Sequence, residues 1–260
     1  MDKRKLTKVA VTTAATASVS LGIGTSLFMH RSETHESIKL HPAIRQAARF
    51  IVWAGGGMKP REWVGVHLKH HDNEDLPDDP HSPVQNGRFG VLKVLLGNVP
   101  MYRQAAKEIS QTGAYPERLK PDALDKHLYD KGLLGQVALY GLMARINGPV
   151  YGAAALGLHD LIMFGAGGIV NGLGHSGSGN MLKALVNRPE PNEDGSYSRN
   201  LNPGLTALTF GEGRHANHHA DPSNWQLGNN LMEDPAALIA SGLIKTRLAT
   251  SGHIVANTTE

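Results

Sequence analysis

Hydrophobic positions along the chain gather into a few blocks separated by polar, proline-punctuated sequence. A basic start, Met1 to Lys8, gives way to Val9–Met29, which carries no charged residue and reaches the roughly 20 residues that a membrane-crossing helix needs. This stretch is rich in Ala, Thr, Ser and Gly, so it is only weakly apolar. A basic start before a mild apolar run is also the outline of a signal peptide. Arg45–Trp63 is mixed, with Phe50-Ile51-Val52-Trp53 running into Gly55-Gly56-Gly57. It is too short and broken for a span and suits an interfacial or re-entrant segment. Residues 72–131 are polar and loop-rich, punctuated by Pro77, Pro80, Pro83, Pro100, Pro116 and Pro121. Short helices are expected there at Val91–Leu96 and Met101–Ile109. The most apolar block is Gly132–Gly174, interrupted by Arg145-Ile146-Asn147-Gly148-Pro149. That interruption predicts two helices, Leu133–Ala144 and Val150–Val170, joined by a turn. From Leu182 the tail is polar until a short apolar helix at Pro235–Leu243. No internal repeat and no low-complexity segment stands out, and one domain over 1–260 is expected.

Composition removes several functions. Hydrophobic residues make up 40% and charged residues 19%, which excludes a disordered chain. A net charge of +3 without a basic run beside spaced aromatics gives no footprint for nucleic acid. Cysteine is absent, so this chain can hold neither disulfides, zinc–thiolate sites nor iron–sulfur clusters. Gly165-Ala166-Gly167-Gly168 follows no strand and fails as a nucleotide loop.

The departure from the ordinary is 14 histidines, most of them grouped. His67, His70 and His71 form an HxxHH pattern, and His215, His218 and His219 repeat it. On a helix these positions share a face, so three imidazoles are expected to point into one space. His30 and His35 add an HxxxxH pair; five residues advance an α-helix by about 500°, so the two converge only at a helix end or face different metals. A zinc site takes about four protein ligands, and these groups supply enough for two sites. Nitrogen-only ligation suits Zn, Cu, Fe or Ni. A zinc hydrolase and a non-catalytic metal-binding protein are rival readings, although the HExxH of many zinc hydrolases is absent. His41, His127 and His253 are isolated and read as surface residues. His159-Asp160, a polar pair inside an apolar helix, reads equally as a functional pair or as a buried structural hydrogen bond.

The three groups and their flanks resemble the membrane fatty acid desaturase family of the acyl-CoA and acyl-lipid type. The first box follows Gly22-Ile23-Gly24-Thr25 and has Arg31 after its first histidine. The second runs on to Asp79-Pro80-His81-Ser82-Pro83. Phe210-Gly211-Glu212-Gly213 precedes the third, and Asp234-Pro235 and Gly242-Leu243 follow it. Asn171-Gly172-Leu173-Gly174-His175 is similar to the family's Asn-x-x-x-His element. The resemblance implies an all-α fold in which apolar helices lie under a histidine-rich di-iron cap. The metal set would be His30, His35, His67, His70, His71, His175, His215, His218 and His219, with Asn171 holding an iron-bound water. Two Fe ions and O2 would introduce a double bond into an acyl or alkyl chain linked to CoA, lipid or a carrier. A hydroxylase, or a desaturase of a specialised carrier-bound metabolite, shares the same boxes. Electrons would come from ferredoxin or a cytochrome b5-type protein, and the site would face the cytoplasm from a membrane. Asp75, Asp79, Glu212 and Asp221 are candidates to support the imidazoles, with Asp75 and Asp221 better read as plain surface carboxylates. His81 is expected to support rather than ligate. The chain departs from the family at Glu33, Glu36 and Arg214 beside the boxes. A single crossing at 9–29 would also leave the basic N-terminus on the outer side, against the positive-inside tendency.

Overall fold

The computed structural model describes residues 2–252; His253, expected at the surface, lies outside them. The chain opens with a helix of 32 residues, Lys3–Thr34. Its first part, α1 (Lys3–Val19), is α-helical and is capped by Asp2, which accepts from the Arg4 amide at 3.0 Å. Ser20–Thr34 continues it with the wider i→i+5 winding of a π-helix. The small, hydroxyl-rich composition of α1 has a packing reason. Thr13 donates to the Ala155 carbonyl at 3.2 Å and Asn147 donates to Thr12 at 3.2 Å, so neighbouring backbones approach closely, as small residues allow between apolar helices.

Two antiparallel helices, α5 (Gly132–Asn147) and α6 (Pro149–Gly168), pack on α1 through Val9, Leu139, Met143 and Ala155. The expected turn is Gly148, at φ 82°, with Pro149 opening α6. A short π-turn, Ile169–Leu173, extends α6 to the metal region. Between these pieces lie α2 (Pro42–Gly56), α3 (Pro60–Asp72) and α4 (Gly90–Thr112). The mixed segment around Phe50 is therefore a helix, ended by Gly57 in the left-handed region. Phe28 and Met29 of the π-helix bury against its Ala48 and Val52.

The two short helices expected at 91–96 and 101–109 are instead one continuous α4 with Pro100 inside. Proline removes one i→i−4 bond, but packing holds both halves. Val91 is buried near Leu173, and Ala105, Ala106 and Ile109 bury against Val66 of α3. The polar tail forms α7 (Met181–Ala184), α8 (Pro203–Leu208) and α9 (His215–Ala220) before the expected apolar helix, α10 (Pro235–Lys245). The fold is all-α apart from β1 (Ile38–Leu40), which pairs antiparallel with β2 (Ala249–Ser251) in the register Ile38 to Ser251.

Among the described residues, two helices, Lys3–Thr34 and Pro149–Leu173, are long and apolar enough to cross a membrane. On α5 and α6, Leu133, Val137, Leu142, Val150, Leu161 and Phe164 are exposed, an apolar surface beyond what water-facing helices carry.

Candidate metal centre

Local helix geometry decides where each histidine goes. In the π-helix the His35 amide donates to the His30 carbonyl at 3.2 Å. Wider winding brings residues five apart onto one face, and the two rings lie 4.9 Å apart. Of the two expectations for this pair, convergence at a helix end is the correct one. The HxxHH groups behave differently from expectation. Successive residues on an α-helix differ by about 100°, so His70 and His71 diverge. His67 and His71 join His30, His35 and His218 in one group, while His70 joins His175, His215 and His219 in another. The expectation that each triplet shares one space is corrected: each i, i+4 pair faces one site and the intervening histidine faces the other.

In both groups the ligating atoms lie within 4.8 Å of one another. In the five-histidine group, Nε2 atoms approach at 3.0 Å for His30 and His218, 2.9 Å for His218 and His71, 3.1 Å for His71 and His67, and 3.2 Å for His67 and His35. In the four-histidine group the approaches are 2.7 Å for His215 and His175, 3.1 Å for His219 and His215, and 3.3 Å for His70 and His219. Adjacent donors around one ion with metal–nitrogen bonds of about 2.1 Å lie about 3.0 Å apart at right angles, so these separations suit shared metal ions.

The opposite ring nitrogens identify the tautomers. His70 Nδ1 meets Asp79 at 2.9 Å, His175 Nδ1 meets Asp75 at 2.9 Å, and His219 Nδ1 meets Glu74 at 2.9 Å. His30 Nδ1 lies 2.6 Å from Glu212, close but not aligned as a hydrogen bond. A carboxylate at Nδ1 takes the N–H and leaves Nε2 as a lone pair. Lone pairs then converge between His70 and His219, where no hydrogen bond can form between two neutral rings of this tautomer. A cation between them removes the repulsion.

Burial and neighbouring imidazoles keep His35, His67, His70, His71, His215, His218 and His219 neutral, as ligation requires. Burial, with His30 and His71 close by, pushes His35 down to about 2. Burial and His219 do the same to His71, also to about 2. His67, His70, His215 and His218 are shifted down for the same reasons. His219 is lowered by burial, with Glu74 working against it. His175 moves the other way: burial disfavours its charge, but the bond and charge of Asp75 outweigh that. Burial would raise Glu212, yet His30 and Arg31 hold it at about 2.

Asp75 is buried and bonded to His175, so its expected surface role is wrong; Asp221 is exposed and accepts from Ser223, as expected. Glu74 is the supporting carboxylate that sequence reading missed. Its only signal was its place beside Asp75 in the turn after α3. His81 is buried, stacks on His70 at 4.5 Å, and gives its amide to Asp79. Asn171 lies in the cavity wall and donates to Asn98 at 3.3 Å. His159 is structural: its ring bonds Thr16 at 3.1 Å and the Gly55 carbonyl at 2.8 Å. His41 caps α2 through the Ala43 amide, and His127 is exposed. Two of the departures are engaged in ion pairs: Glu33 grips Arg45 in a two-bond pair at 3.0 and 2.6 Å, and Arg214 pairs with Glu233 at 2.6 Å. Glu36 is exposed and lies 3.4 Å from Arg118.

A cavity of about 750 Å³ reaches both groups, with His30, His67 and His215 in its wall. Trp63 stacks on His67 there, 4.9 Å between rings. Its size falls in the range of small-molecule sites.

Residues 9–228 match the fatty acid desaturase family model. The chain is 27% identical over 76% of its length to icosanoyl-CoA 5-desaturase of Limnanthes douglasii, covering 51% of that protein. It is 27% identical, again over 76% of its length, to the sn-1 stearoyl-lipid 9-desaturase of Synechocystis, covering 57%. To the hex-5-enoyl-[acyl-carrier protein] acetylenase of Moorena producens it is 35% identical over 28% of its length, covering 24%. The chain thus spans about half the length of the first two relatives. A metal-binding histidine centre and a family match over most of the sequence meet in one conclusion: this chain belongs to the fatty acid desaturase family.

Proposed function

We propose that the chain is an O2-dependent oxidoreductase that introduces a double bond into an acyl or alkyl chain at two irons. The observation that carries this reading is the convergence of nine imidazole Nε2 atoms in two groups that share one cavity, with carboxylates behind His70, His175 and His219. His30, His35, His67, His71 and His218 would hold one iron. His70, His175, His215 and His219 would hold the other, and Asn171 would hold a water. Bound there, the irons would supply activation of O2 to an oxidant able to take hydrogen from an unactivated C–H bond. The balance is two hydrogens from the chain, two protons and two electrons from a donor, and O2 reduced to two waters. A ferredoxin or a cytochrome b5-type protein suits as that donor.

The protein's own residues position the reaction. Asp75, Asp79, Glu74 and Glu212 orient the imidazoles. The cavity lays the chain beside His30, His67 and His215, while Lys59, Arg103 and Lys107 at its wall suit an anionic head group such as CoA, lipid phosphate or the arm of a carrier protein. The exposed apolar helices support a membrane setting, in which the histidine cap would face the cytoplasm. A carrier-bound substrate is the second reading, supported by the acetylenase relative whose printed substrate is an acyl-carrier protein thioester.

His218→Ala and His70→Ala test the assignment by removing one ligand from each group. Each is expected to lower bound iron, measured by elemental analysis in mild detergent, and to abolish product formation together with it. Full turnover in either variant with normal metal content would sink the reading.

A further inference from the structure

The cavity is not built for a plain hydrocarbon. Asp160 of α6 lines it and makes no hydrogen bond or ion pair among the described residues. The other carboxylates in the wall are engaged: Glu62 by Lys59 at 2.8 Å, and Glu212 by Arg31 at 2.8 Å. Three further wall residues carry buried polar atoms with no partner, Thr25 Oγ1, Tyr102 Oη and His81 Nε2. Buried polar groups are normally satisfied; these three atoms, together with the half-buried and unpartnered Asp160 in the same wall, suit a ligand that brings hydrogen-bonding groups. An ionisable residue in a helix fit to cross a membrane faces a cavity for a functional reason by default. About 16 Å of helix axis separates Asp160 from Asn171, and the cavity connects them. The same wall holds His30, His67 and His215, so a chain lying past the histidine groups can extend its far end toward Asp160.

We propose that Asp160 is a specificity-determining residue that receives a hydrogen-bond donor, an amino or hydroxyl group, on the far end of the substrate chain. This rests on the acyl-oxidation reading for the site, and it names the substrate class as end-functionalised chains rather than ordinary fatty acyl groups. Gln136 stands in the same wall. Its side-chain amide already donates to the Ala54 carbonyl at 3.3 Å, which leaves its carbonyl as a second acceptor for the same group.

The test titrates three saturated fatty acids of equal length, ending in methyl, hydroxyl or amino, into the metal-loaded full chain in mild detergent. Tryptophan emission, to which Trp63 in the wall contributes, reports binding. The wild type is expected to hold the hydroxyl- or amino-ended chain at least about tenfold tighter than the methyl-ended one, the scale of one hydrogen bond to a charged group. Selectivity for the amine alone assigns a cationic ligand, and selectivity for both assigns a shared donor. Asp160→Leu is expected to remove the preference. Asp160→Asn, nearly isosteric, keeps the test valid if the Leu variant misfolds, and must weaken the preference for the amine. Equal or tighter binding of the methyl-ended chain by the wild type overturns the proposal. So does a preference that survives both substitutions. Product analysis runs beside it: selective binding that Asp160→Leu removes, with no oxidised product from any chain, overturns the oxidation reading and leaves the recognition by Asp160 standing.

Discussion

The tautomer of a single ring carries much of the chemistry. Asp79 accepts from His70 and from the amides of Asp75 and His81, at 2.9, 2.9 and 3.0 Å, so it fixes a ligand and the turn behind it together. Asp79→Ala is expected to weaken metal binding in the four-histidine group by about 10–100-fold, the usual cost of losing such a partner, measured by competition with a chelator of known affinity. Acid titration gives a second residue-level prediction. His35 and His71 fall from an ordinary 6.5 to about 2 on folding, so the unfolded chain binds more protons than the folded one. Stability of the metal-free chain is then fully present above about pH 6.5 and declines as pH falls toward 2. Glu212 and Glu74, held at about 2 against an ordinary 4.5, add a further loss below 4.5. Thermal midpoints are expected to hold from pH 8 to about 6.5 and to fall from there to pH 4, more steeply below 4.5. A flat profile from 8 to 5.5 would contradict the neutral, buried state of these rings.

At the scale of the element, spacing alone read the boxes well but assigned their directions wrongly. The i, i+3, i+4 rule gives a common face, and α3 does present one; two sites meet on that face, about 100° of rotation apart, and sequence does not show where one ends. The HxxxxH pair was legible only as a choice between geometries, because nothing in Ser20–Thr34 announces a wide winding. Asp75 looked like surface because its burying partner, His175, lies 100 residues away in sequence, and Glu74 was hidden by a partner, His219, that lies farther still. Apolar periodicity, by contrast, placed α5, α6 and α10 correctly, since those helices are set by their own composition. Pro100 misled because packing on α3 and α6 outweighs one lost backbone bond. Gly174, one residue before His175, shows how closely the element is fitted to the centre: a Cβ there would stand 2.7 Å from His215 Cδ2. Gly174→Ala is expected to push the His215 ring out of place. It should lower metal content in the four-histidine group while the thermal midpoint of the metal-free chain changes by only a few degrees, measured by elemental analysis and melting in parallel.

Over the whole molecule, the distant ends of the sequence are joined at one buried guanidinium. Arg31, 1% exposed, donates to the Trp225 carbonyl at 2.8 Å, to Glu212 at 2.8 Å, and to both Asp234 oxygens at 2.9 and 3.0 Å; it also bonds Ser26. Asp234, fully buried, accepts in turn from the amides of Leu227, Gly228 and Ala237. The π-helix, the loop after α9 and the start of α10 therefore meet in one ionic network, and Glu212 connects that network to His30. Desolvating such charges is expensive, and their mutual contacts offset the cost only while every partner is present. Asp234→Ala leaves Arg31 with half its carboxylate partners and the three amides with none, and is expected to destabilise the chain by about 3–5 kcal/mol, read from the denaturant midpoint. Replacing Arg31 as well, in Arg31→Met with Asp234→Ala, removes the stranded charge, so the double variant is expected to lose less than the sum of the single losses. Additive losses would mean that the two residues act separately. Sub-additive losses would mean that the first histidine box and the C-terminal helix fold as one unit, with His30 held in place from across the length of the chain.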